Sequence, residues 1–132
     1  MIGVDTNVLV RLLTQDDADQ NARARAFFAE RNARDPAYVS AIVLAKALWL
    51  LRKRMMYPPE VVELALRGML SSNDIRLEHA ERLGELLDTP GSKQVELTDC
   101  LVAWSAAEAG CSHTVTFDRR AATAVQGMEL IP

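Results

Sequence analysis

The chain has 132 residues, a length that fits one ordinary domain with one core, so a single domain over residues 1–132 is expected. Its 15 basic and 18 acidic residues give a net charge of −3, which excludes a grip on nucleic acid through bulk positive charge. A metal site built of acids with a basic rim stays compatible with that balance. Apolar residues make up 49% and aromatics 5%, so Ala, Val, Leu and Ile must fill the core, as where helices pack on a short sheet.

In chain order, Met1 to Val4 is a short apolar run that predicts a strand, followed by a helix from Val8 to Leu13 with Thr6 and Asn7 as capping candidates. Asp17 and Gln20 have the spacing of a capping box and open a helix through about Arg31, with Ala22, Ala26 and Phe27 among its apolar residues. Tyr38 and Val39 predict a second strand. Ser40 then caps a helix through Arg54 that buries Val43, Leu44, Ala47, Leu48 and Leu51. Pro58 and Pro59 start a helix through about Leu70, Ile75 to Leu77 predicts a brief strand, and His79 to Leu87 reads as helical. Pro90 and Gly91 break the pattern. A helix over Thr98 to Ala109 ends at Gly110, whose freedom to adopt a positive φ suits a helix terminus. Thr114 to Phe117 reads as a buried strand, and a helical turn and a strand near Met128 to Ile131 follow. The alternation predicts an α/β sandwich around a mainly parallel sheet.

No segment approaches the roughly 20 apolar residues of a membrane span, and Met1 to Val10 lacks the features of a secretory signal, so a cytoplasmic protein is expected. Cys100 and Cys111 are too far apart for a metal knuckle and are expected to be buried and reduced. Neither His79 nor His113 has a partner spaced for metal binding. Trp49 and Trp104 fall on apolar helical faces, where core or dimer packing is the default role and base stacking lacks aromatic neighbours to support it. The basic run Arg52, Lys53 and Arg54 reads either as a solvated helix end or as a substrate contact.

Asp5 and Asp118 each close a predicted strand, where parallel sheets place their ligand crevice, and Asp99 lies in the first turn of a helix. Three carboxylates brought together would repel unless protonated or neutralised, and an oxygen-ligated divalent ion is the economical solution. Singly, each has a plainer reading: Asp5 as a helix start, Asp99 as a dipole partner, Asp118 as a turn former.

Three stretches, Val4-Asp5-Thr6-Asn7-Val8-Leu9, Thr98-Asp99 with Leu101 and Ala103, and Thr116-Phe117-Asp118, together resemble the PIN-domain family, in an arrangement similar to VapC-type toxins. The resemblance extends to Asp16-Asp17, to Val43-Leu44-Ala45 with Trp49 and Leu51, and to Gly110-Cys111. It implies a PIN-like α/β/α sandwich and an endoribonuclease in which clustered acids hold Mg2+ or Mn2+, with the metal activating water for attack on a backbone phosphorus. By matching positions Asp5, Asp99 and Asp118 are the expected metal ligands. Thr116 is placed to hydrogen-bond a carboxylate or an ordered water, or is a simple strand threonine. Asn7 either orients Asp5 or caps a helix, and Glu96 stands where the family often has another acid.

Lys46 departs from the pattern, because relatives of this kind normally carry a glutamate of the acidic cluster there. A lysine in its place puts an ammonium where a cation should bind. At an effective dielectric near 20 the repulsion from a divalent ion about 5 Å away is on the order of several kcal/mol. The expectation is therefore reduced activity, with Lys46 either turned to solvent or, the favoured outcome, paired with Asp5 or Asp99 in place of a metal. The resemblance further implies a VapB-type antitoxin as partner, transfer or ribosomal RNA as substrate, a homodimer and no membrane. The competing reading is a catalytically silent protein that acts by antitoxin or RNA binding. A phosphoaspartate mechanism fits poorly, since Asp5 is followed by Thr6-Asn7 and lacks a second aspartate two positions on.

Overall fold

A computed structural model describes residues 1–91 and 95–132. The chain divides into two units, Met1–Ala80 and Glu81–Pro132.

The first unit is built on a three-stranded parallel sheet of order β1-β2-β3, with β1 at Ile2–Gly3, β2 at Ala37–Val39 and β3 at Ile75–Leu77. Register pairs Ile2 with Ala37 and Tyr38 with Arg76. Parallel neighbours need long crossovers, and helices supply them. Between β1 and β2 run α1 (Thr6–Leu13) and α2 (Ala18–Ala29), and between β2 and β3 run α3 (Ala41–Trp49), a π-helical turn (Leu50–Arg54) and α4 (Pro59–Ser71). Local chemistry sets the helix starts. Asp17 accepts from the Gln20 amide at 2.9 Å and Ser40 from the Val43 amide at 3.2 Å, while Pro59 fills the first position of α4, where a missing N–H costs nothing.

Inward faces follow the helical period. Leu9 and Val10 of α1, Leu44, Ala47 and Leu48 of α3, and Val62, Leu66 and Met69 of α4 are buried, together with Ala37, Val39 and Leu77 of the sheet. Each such leucine withdrawn from water contributes about 1.5–3 kcal/mol. In α2 the buried residues are Ala24 and Phe28; of the expected set, Ala22 and Ala26 are exposed and Phe27 is half-buried, its ring edge-on to Phe28. Alanines on both sides of this weakly amphipathic helix gave no clear stripe from which to choose the face.

The second unit carries α5 (Ala80–Asp88, beginning at the boundary), α6 (Leu97–Glu108) and α7 (Arg119–Ala124), with a parallel pair β4 (Thr114–Thr116) and β5 (Met128–Leu130). Cys100 and Ala103 of α6, Ala121 of α7, and Val125 and Met128 form its buried cluster, against which Leu86, Val95 and Trp104 pack. Gly110 ends α6 with φ +94, as anticipated. The α/β class and the parallel pairing are as expected, but the strands form two parallel ladders, one in each unit. The anticipated burial of β4 also needs correction, because Val115 and Phe117 are exposed, Phe117 at 84%. The hydrogen-bonded neighbour of β4 is β5, and an apolar run alone does not reveal which face a strand covers.

Candidate metal-binding acids

Asp5 follows β1 directly and caps α1: its carboxylate accepts from the Thr6 amide at 2.8 Å. The cap is therefore Asp5 and not Thr6 or Asn7, since the helix begins two residues earlier than the apolar pattern suggested. Asn7 is exposed and makes no hydrogen bond to Asp5 among the described residues. Behind this turn, Arg11 and Thr14 both donate to Asp16, at 2.8 Å each, which ties the end of α1 to the start of α2. Those bonds, that from Thr14 foremost, hold the Asp16 carboxyl below its ordinary value.

The second unit repeats the device after β4. Asp118 caps α7 by accepting from the Arg120 and Ala121 amides, at 2.8 and 3.1 Å. Thr116 orders the same turn, but its hydroxyl accepts from the Asp118 amide at 3.0 Å, so its contact is to backbone and not to a carboxylate.

Asp99 differs from both. It lies half-buried in the first turn of α6, where the helix dipole favours a negative charge. Its carboxyl is nevertheless raised above the ordinary value, by burial first and then by the negative charges of Asp118 and Glu96. Desolvation and like-charge repulsion therefore outweigh the dipole. Glu96 stands at the N-cap of α6 and makes no side-chain capping bond. Among the described residues, none of Asp5, Glu96, Asp99 and Asp118 forms an ion pair with a lysine, arginine or histidine. Thus Asp99 and Asp118, placed together from sequence, influence each other within one unit, and Asp5 belongs to the other.

A model of the PIN domain family matches residues 2–126. The chain belongs to the PIN-domain family. PIN domains are generally metal-dependent nucleases. No curated protein and no solved structure matches the chain. Among the described residues of this PIN domain, no three His, Cys, Asp or Glu side chains are gathered tightly enough to hold a metal ion. In donor chemistry the acids do suit a hard divalent cation: they are carboxylate oxygens, and no cation among the described residues pairs with them.

Lys46 is exposed on α3 and forms no ion pair among the described residues, so the pairing with a carboxylate expected from the sequence does not appear. The reason lies in the helix: Ala41, Leu44, Ala47 and Leu48 fix the inward face, and position 46 falls outside it. Trp49 is likewise exposed and not packed, whereas Trp104 lies against the cluster of the second unit. Cys100 is buried, with its thiol pushed up to about 11 chiefly by burial, which favours the protonated thiol at neutral pH. Cys111, expected to be buried as well, is exposed beyond the helix-ending Gly110. No helix among the described residues is long and apolar enough to cross a membrane.

Proposed function

We propose that this PIN domain acts as one domain over residues 1–132 and is an endoribonuclease that uses Mg2+ or Mn2+, with Asp5, Asp99 and Asp118 as the ligands. The observation that carries the reading is the condition of Asp99, a half-buried carboxylate pressed by two other acids with no basic partner among the described residues, in a family of metal-dependent nucleases. Such an arrangement costs folding energy without a cation and binds one to recover it. A bound divalent ion would activate water and stabilise charge developing on the phosphorus. The chain's own part is orientation. The two backbone amides at Asp118 and the one at Asp5 fix those carboxylates, and Thr116 holds the backbone of the turn that presents Asp118.

In this proposal the enzyme is a toxin of VapC type, cytoplasmic and homodimeric, restrained by a VapB-type antitoxin, with transfer or ribosomal RNA as substrate. Lys46 weakens metal binding and activity by placing a positive charge where related sites carry glutamate. A second reading, a silent PIN protein that works through antitoxin or RNA binding, is favoured by this same residue. RNA cleavage with and without Mg2+, by the natural chain and by Lys46→Glu, separates the two. Strong Mg2+-dependent cleavage by Lys46→Glu supports the weakened nuclease, and no cleavage by either form supports the silent protein.

A further inference from the structure

Between Asp35 and Glu60 the chain contains no carboxylate and four cations, Lys46, Arg52, Lys53 and Arg54, in a protein whose net charge is −3. This segment forms β2, α3 and the π-helical turn. Opposite its buried leucines, Ile42, Lys46, Trp49 and Lys53 recur at steps of four, three and four residues and form one exposed stripe. Ile42 is 81% exposed and Trp49 54%.

The ordinary role of cations at a helix end is to complement the dipole, and Arg52 does so by donating to the Tyr57 carbonyl at 2.8 Å. That role accounts neither for Lys46, which lies mid-helix, nor for a solvent-facing indole between two lysines. The helix end is itself unusual. The Met55 amide bonds back to Leu50 in the wide π pattern, a rare turn that occurs often at functional sites, and Met56 takes φ +60 without being glycine. Lys46, Lys53 and Arg54 form no ion pair among the described residues. Glu78 accepts from Tyr38 and from the Ala41 amide, and Glu63 of α4 pairs with Arg67.

We infer that the exposed face of α3 and its π-helical turn is a docking surface for single-stranded RNA, on which Trp49 stacks a base while Lys53 and Arg54 meet the phosphates. An aromatic face between cations is the chemistry that holds unpaired nucleotides, because every base has a π-face and every phosphate a charge. The inference rests on the ribonuclease reading for its choice of nucleic acid, and it concerns binding and not the metal-dependent step.

The test is fluorescence anisotropy with a fluorescein-labelled single-stranded RNA of about 12 nucleotides, a length within the usual single-strand site sizes. EDTA is present, so that cleavage plays no part. Trp49→Ala is expected to weaken binding about tenfold, and Trp49→Phe, which keeps a ring, to retain most of it. Lys53→Gln with Arg54→Gln should lower the slope of log affinity against log salt by about 1.4. Circular dichroism checks that the variants fold. Unchanged RNA binding by Trp49→Ala overturns the inference. So does a shift from dimer to monomer in that variant without loss of RNA binding, which assigns the face to a second copy of the chain. Cleavage of RNA by Lys46→Glu that is equally efficient with Trp49→Ala added leaves the nuclease standing and removes the docking surface. Absence of both binding and cleavage in every form removes both.

Discussion

Two turns in this PIN domain carry an aspartate between a parallel strand and a helix, at Asp5 in the first unit and at Asp118 in the second, and each carboxylate is engaged by backbone amides. Asp99 has no such engagement and bears the cost of burial and of neighbouring charge. Capping alone explains why Asp5 and Asp118 stand where they do. It does not explain Asp99, and that difference makes Asp99 the acid on which the proposed metal site most depends.

Removing that residue should break the comparison most visibly. In a Lys46→Glu background, Asp99→Asn is expected to lower Mg2+-dependent RNA cleavage by about 100-fold or more, measured as initial rates on a labelled RNA. Lys46→Glu alone should tighten Mg2+ binding by at least about tenfold, read by calorimetry, because a repulsive unit charge is replaced by an attractive one. Equal affinities in both forms would show that Lys46 lies outside the field of the site.

Stability should sort the three acids by sign. Asp118→Ala loses two capping bonds and should cost about 1 kcal/mol in urea unfolding, whereas Asp5→Ala, with one bond to the adjacent amide, should cost about half that. Asp99→Asn, in contrast, should raise the melting temperature of the metal-free protein at neutral pH. The folded-state value of Asp99 lies above the unfolded 3.8, so the folded state holds this proton more tightly. Its contribution to stability therefore falls as pH rises from 3.8 through the folded value, and the penalty persists above that window. Unfolding followed across this range should show a downward component in the natural chain that Asp99→Asn lacks.

How much of this was legible depended on whether the signal was local. Asp17, Ser40, the Pro58-Pro59 pair and Gly110 act through neighbours a few residues away, and the helix boundaries they imply are those observed within one to three residues. The continuation of α3 as a π-helical turn was not legible, since Leu50 to Arg54 has the composition of any helix and the wider turn arises from how Met55 and Tyr57 bond back. Exposure of Trp49 and Phe117 was hidden for a related reason. An apolar side chain in a periodic run is read as buried, and only packing decides whether a surface lies opposite it. At the candidate site, family wording singled out Asp5, Asp99 and Asp118, while the backbone role of Thr116 and the solvent-facing position of Lys46 depend on how the chain packs.

The most direct measurement is Mn2+ binding to the Lys46→Glu protein, followed by electron paramagnetic resonance, with Asp5→Asn, Asp99→Asn and Asp118→Asn each added in turn. One site that all three substitutions weaken is the predicted result. Retention of full Mn2+ affinity by Asp5→Asn would contradict the shared role of the three acids.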